Sequence, residues 1–279
     1  MLAEDLLKQG QLDQALAGLQ DEVRKAPADA KKRIFLVQML MVTGQWDRAL
    51  TQLKVIADLD AGSLPMVHTY REAIRCEALR LKVFAGKATP LVFGDPERWV
   101  ALLLEALRLG AEGHFEQAQT IRDEAFDLAP ATSGTLNGQR FEWIADADPR
   151  LGPVVEAIVN GAYYWIPVHR IREIRIGDPE DLRDVVWTPV EFAWSNGGET
   201  VGLIPTRYPG SEKSENERIR LGRMTEWQEP APGSFTGLGQ RMFATDAGEF
   251  PILDVRQIAL DSPAPDAAGD DSATGTADG

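Results

Sequence analysis

A glycine-anchored repeat constrains this chain more than any other feature. Gly10 opens Gly-Gln-Leu-Asp-Gln-Ala-Leu, and Gly44, 34 positions later, opens Gly-Gln-Trp-Asp-Arg-Ala-Leu. Gly113 opens Gly-His-Phe-Glu-Gln-Ala-Gln after a further 69 positions, about two periods. Pro27 and Pro130 each follow 17 positions behind the first and third glycines. A period of 34 is that of the tetratricopeptide helix-turn-helix. Glycine suits the turn between antiparallel helices because it accepts positive φ. Leu12, Trp46 and Phe115 are placed to plug the gap between the helices. Ala15, Ala49 and Ala118 let the backbones approach, and proline stops the second helix by removing a donor.

Between the second and third matches the pattern stays helical. Tyr70, Ile74, Leu81 and Phe84 recur near a 3.6 period. Gly94-Asp95-Pro96-Glu97 reads as an N-cap, a proline at the first helical position and an acid in the first turn. Trp99 to Leu109 is apolar on most faces, which predicts a helix buried on both sides. In stacked repeats the first helices line a concave face built to receive a peptide or a helix. The residues expected there are Ile34, Gln38 and Met41 in one unit and Val100, Leu103 and Leu107 in the last. They are apolar for an open groove, so either a partner helix or the second half of the chain covers them.

The texture changes after Pro130. Ala131 to Gly138 reads as a linker, and Leu151 to Asn160 as one more short helix. Tyr163 to Ile176 is aromatic and β-branched, which predicts strand. Asp178 to Asp181 looks like another helix start. Glu191 to Val201, turning at Asn196-Gly197-Gly198, predicts a hairpin. Arg218 to Leu221 alternates like a half-buried strand. Met242 to Leu253, turning at Asp246-Ala247-Gly248, predicts a second hairpin, and Val255 to Leu260 a last strand. The expected fold is therefore α+β and multidomain. Tetratricopeptide-like helical repeats occupy 1–130, a mostly antiparallel α+β domain 131–260, and a disordered acidic tail 261–279. That tail holds five aspartates and no basic residue.

Charge and chemistry narrow the function by exclusion. Against 29 Lys and Arg stand 43 Asp and Glu, a net charge of −14. This opposes general nucleic-acid binding and docking on anionic lipid. The single cysteine, Cys76, rules out an internal disulfide and multi-cysteine zinc sites, and reads as a core residue. The acidic start, Met1 to Asp5, is unlike a signal peptide. The longest apolar run, Trp99 to Leu104, is too short to span a bilayer. The expected compartment is the cytoplasm. His68, His114 and His169 are not at metal-ligand spacing, so neither metal nor cofactor is expected. His169, Arg170, Arg172 and Arg175 form a basic cluster, for which a salt-bridged strand edge is the commoner explanation than an anion or enzyme site. Gly233 to Gly239 is glycine-rich but precedes a strand, unlike a phosphate cradle. Five of seven tryptophans lie in the second half, as core or as interface anchors.

Four stretches carry a family resemblance in combination. They are Tyr163-Tyr-Trp-Ile-Pro167, Asp181-Leu-Arg-Asp-Val-Val-Trp187, Ile204-Pro-Thr-Arg-Tyr-Pro-Gly-Ser211 and Gly237-Leu-Gly-Gln-Arg-Met242. Together they resemble the ImpE/TagJ family of type VI secretion accessory proteins, over about residues 1–260. The resemblance implies the same two-part fold and no enzymatic activity. It implies a cytoplasmic adapter that binds an N-terminal helix of the small, TssB-type sheath subunit. Through that subunit the adapter would be linked indirectly to the ClpV-type AAA+ ATPase that disassembles the sheath. Trp165, in the aromatic-proline stretch, joins the six concave-face residues as an expected partner contact. A general peptide-binding or chaperone-like scaffold is the alternative.

Overall fold

The computed structural model describes residues 2–261, so the tail expected at 261–279 lies, apart from Asp261, outside the described residues. Seven helices fill the first half. They are α1 (Leu2–Lys8), α2 (Leu12–Lys25), α3 (Ala30–Val42), α4 (Trp46–Leu59), α5 (Leu64–Phe84), α6 (Arg98–Ala111) and α7 (Phe115–Leu128). The three repeat glycines each sit at positive φ between two helices: Gly10 at 81°, Gly44 at 67° and Gly113 at 88°. The same bond closes each turn. Gln11 N–H donates to Leu6 at 2.8 Å, Gln45 to Leu40 at 2.8 Å and His114 to Leu109 at 2.9 Å. This six-to-one bond satisfies a carbonyl that the helix end would otherwise orphan. Ala15, Ala49 and Ala118 are buried, as close backbone approach requires.

One expected helix start moves. α6 begins at Arg98, and its N-cap is Glu97 in extended conformation. The Glu97 side chain does not cap the helix. It accepts instead from Trp99 Nε1 at 2.9 Å and Arg170 Nη2 at 3.0 Å.

Strands enter early, with β1 (Leu91–Val92), and dominate after α7. They continue as β2 (Gly134–Leu136), β3 (Gln139–Phe141), β4 (Ile144–Asp146), β5 (Val154–Val159), β6 (Ala162–Pro167), β7 (Ile171–Ile176), β8 (Trp187–Trp194) and β9 (Glu199–Pro205). A single helical turn, α8 (Glu217–Arg220), precedes β10 (Thr225–Ala231), β11 (Ser234–Gly239), β12 (Met242–Thr245), β13 (Gly248–Pro251) and β14 (Gln257–Leu260). The main sheet runs β1-β6-β5-β9-β8-β7-β14-β2-β3. Only the β1–β6 pair in it is parallel. β13-β12-β4 forms a second sheet and β10-β11 a separate ribbon.

The hairpins expected at Asn196–Gly198 and Asp246–Gly248 are present, as β8–β9 and β12–β13. Three other expectations fail for local reasons. Val154–Val159 is a strand, because its β-branched run ends in Asn160-Gly161 with both residues at positive φ, a two-residue hairpin turn. Ala131–Gly138 contains β2, which turns at Asn137-Gly138 in the same way. Arg218–Leu221 is mostly helical, because the Asn216 side chain accepts from Arg218 N–H at 3.0 Å and caps a turn there.

The main sheet has two buried faces. Val154, Ile158, Tyr163, Trp165 and Trp187 face the helices and belong to the helical core. Val155, Ala157, Ile166, Val190 and Phe192 face a second core, closed by Ile144, Phe243 and Ile252. Period-two alternation along each strand produces this division. Trp46, the plug of the second repeat, stacks on Trp187 with ring centroids 6.0 Å apart.

Candidate functional site

The seven residues expected to meet a partner are covered by the chain itself. Met41, Leu103 and Trp165 have no exposed surface, Gln38, Val100 and Leu107 are buried, and Ile34 is half-buried. Met41, Val100, Leu103 and Leu107 share one core with Val154, Val186 and Trp187 of the second half. Trp165 is spent on this packing: its Nε1 donates to Tyr163 Oη at 2.8 Å and its ring lies against Phe84.

A buried charge network holds that cover down. Arg80 of α5 donates from Nε to Glu156 Oε1 at 2.8 Å and from Nη2 to Glu156 Oε2 at 3.0 Å. Its Nη1 donates to Glu77 at 2.9 Å. Arg241 bridges Glu156 and Asp146, and its Nε donates to the Pro205 carbonyl at 2.9 Å. Tyr163 Oη donates to Glu156, and Tyr208 Oη to Asp146 at 3.0 Å. Paired buried charges of this kind resist separation, because removing one partner strands the other in low dielectric. Burial works against the Glu156 carboxylate, but Arg80 and Arg241 overcome it and hold its pKa down at about 2. Burial wins at Asp146, whose pKa is pushed up to about 6 against Arg241.

The four resemblance stretches converge here. They supply Tyr163 and Trp165, Trp187, Arg207 and Tyr208, and Arg241. Gly237 is required because a Cβ there would meet the Tyr208 ring at 2.3 Å. The stretch 233–239 is thus strand packing, with no helix N-terminus for a phosphate. Two further arginines reach across to the repeats. Arg207 Nη1 donates to Val42 at the end of α3 at 2.9 Å, and Arg223 Nη2 to Leu7 at the end of α1 at 2.8 Å. Each places a cation on a helix C-terminus, where the macrodipole favours it.

The basic cluster of β7 is engaged in ion pairs. Glu97 Oε1 lies 3.0 Å from His169 Nε2 and from Arg170 Nη2. Arg172 faces Glu199 at 3.7 Å, and Arg175 faces Glu173 and Glu191 at 3.1 and 3.2 Å. Burial pushes the His169 pKa down, with Glu97 opposing. Among the described residues no group of three or more His, Cys, Asp or Glu is placed to hold a metal ion. No helix among them is long and apolar enough to cross a membrane.

An open surface remains beside α5, over the middle strands of the sheet. A cleft of about 1140 Å³ runs between α5 and the strands β5, β9, β8, β7 and β14. Strand register orders its floor. Ile158, Leu203 and Pro189 lie side by side in the row beside α5. Val201, Glu191, Arg175 and Gln257 form the next row outward. The floor therefore grades from apolar to polar, and Val201 is 73% exposed. His68, Thr69 and Glu72 of α5 form the wall. Sequence reading missed this cleft, because it arises from how far the helical layer reaches across the sheet.

A helical repeat layer on one face of an antiparallel sheet, with a lateral cleft between them, defines a two-part, helix-on-sheet class of protein. The comparisons agree with that class. The family model "ImpE protein" matches residues 138–259. The type VI secretion system accessory component TagJ of Pseudomonas aeruginosa is 52% identical over 258 residues, covering 92% of this chain and 90% of that protein. The crystal structure of protein VPA1032 from Vibrio parahaemolyticus superposes with a TM-score of 0.85 at 27% identity, over 93% of this chain and 97% of that one. The chain belongs to the ImpE/TagJ family.

Proposed function

We propose that this protein is a non-enzymatic, cytoplasmic adapter of the type VI secretion system. It binds the N-terminal helix of the small, TssB-type sheath subunit and so stands indirectly beside the ClpV-type ATPase. The cleft between α5 and the sheet is the observation that supports this reading. An amphipathic helix laid there extends the helical layer by one member. Its apolar side covers Ile158, Leu203 and Val201, and its polar side meets Glu191, Arg175 and Glu72. Burying two or three such anchors contributes about 1.5–3 kcal/mol each before ordering and rigid-body costs. The complex is therefore a weak, transient one.

Val201→Asp tests it, since Val201 is exposed and supports no core. Anisotropy of a labelled sheath-subunit N-terminal peptide should show affinity reduced at least about tenfold, with an unchanged thermal midpoint. Undiminished binding to the V201D protein removes the cleft as the site.

A further inference from the structure

A second, smaller cavity lies beside the β10–β11 ribbon, with Phe84 of its lining in contact with Arg80. It measures about 180 Å³ and lies between α6–α7 and the inner face of that ribbon. Arg122 of α7, Arg150, Ser234 and Thr236 supply its polar lining. Arg122 is 4% exposed, yet no carboxylate among the described residues pairs with it. Its Nη1 donates to Gln119 at 2.9 Å, and its Nε is buried without a partner among the described residues. Burial pushes its pKa down, with Asp148 and Asp123 opposing. Arg150 is differently placed. Its Nε and Nη2 hold Asp148, and its guanidinium lies 5.0 Å over the Phe84 ring. The Ser234 and Thr236 hydroxyls make no hydrogen bond among the described residues.

A buried guanidinium without a direct ion pair is costly, and one lining a cavity beside idle donors invites an anion. Asp148 is taken up by Arg150, so Arg122 has no carboxylate in direct contact. The donors come from three separate elements: α7, the ribbon and the Arg150 loop. That arrangement matches a tetrahedral oxyanion better than a planar carboxylate. We propose that this cavity binds a phosphate group, held by Arg122 and Arg150 with the hydroxyls of Ser234 and Thr236, which clamps the β10–β11 ribbon onto α7.

Isothermal titration of the full-length protein with inorganic phosphate at fixed ionic strength tests this, with ATP and acetate as parallel titrants. Saturable phosphate binding is expected, weakened about tenfold or more in Arg122→Gln, as loss of a charge-assisted bond requires. Thr236→Val, which keeps both arginines, should weaken it in the same direction with an unaltered circular dichroism spectrum, and it carries the test if R122Q fails to fold. Binding of phosphate but not ATP assigns the site to the free ion. Tighter binding of ATP assigns it to the phosphoryl group of a nucleotide. Acetate matching phosphate, no saturable binding of either phosphate or ATP, or equal binding in T236V overturns the proposal.

Discussion

Arg80 on α5 and Glu156 on β5, 76 positions apart, face each other through two hydrogen bonds of 2.8 and 3.0 Å with both side chains buried. This pair joins the repeat helices to the sheet. Arg80→Met should therefore destabilise the whole protein by about 3–5 kcal/mol, the usual effect of stranding a buried charge. Chemical denaturation should show one transition shifted to lower denaturant. Unchanged stability would mean that Arg241 alone suffices for Glu156.

The same carboxylate gives a pH dependence. The Glu156 pKa is lowered in the folded protein to about 2, so its contribution is present above its unfolded value and lost as pH falls toward 2. Asp146 works in the other sense. Its pKa is raised to about 6, so its contribution is full below its unfolded value near 4 and lost as pH rises through 6. Glu156→Gln should be less stable than wild type at pH 7 and approach it near pH 2. Denaturation midpoints across pH 2–7 check this, and a constant difference between the two proteins contradicts it.

The two helix-end arginines should differ in weight. Arg207 is buried, and its loss leaves the Val42 carbonyl without that donor, so Arg207→Ala should cost about 1–3 kcal/mol. Arg223 caps α1 from a more exposed position, and Arg223→Ala should cost under about 1 kcal/mol. Amide exchange at the end of α3 should rise in R207A and stay unchanged in R223A.

Two glycines separate turn strain from crowding. At Gly113, φ is 88° and a Cβ meets nothing within 4 Å, so Gly113→Ala should cost only about 1 kcal/mol. At Gly239, φ is 92° and a Cβ would lie 2.1 Å from the Met224 carbonyl oxygen. Gly239→Ala should cost clearly more than G113A, and thermal midpoints of the two variants give the comparison.

The repeat half was legible because its signals are local: a glycine, a plug and an alanine at fixed spacing all serve one turn. In the second half, the Asn-Gly pairs at 137–138 and 160–161 carried the hairpin signal, but the runs before them were read as linker and helix. Val154–Val159 misled because it contains Glu156, and a charge in a fully buried strand is intelligible only once Arg80 and Arg241 are seen beside it. Glu97 was read as a first-turn acid because its partners His169 and Arg170 lie more than 70 positions away. Trp143 and Trp227 are exposed while Trp165 and Trp187 are fully buried, a division that tryptophan content alone does not reveal. The concave-face residues Gln38, Met41, Val100, Leu103 and Leu107 are buried within the chain alone, which their apolar character anticipates.

Amide exchange of the full-length protein, with and without the sheath-subunit N-terminal peptide, tests the account's central claim most directly. Protection should rise along residues 64–72 and 199–203, which border the cleft, and stay unchanged along 34–41 and 100–107. Protection confined to α3 and α6, or exposure of the seam as the peptide binds, would mean that the partner displaces the sheet from the repeat face, and the cleft would not be the docking site.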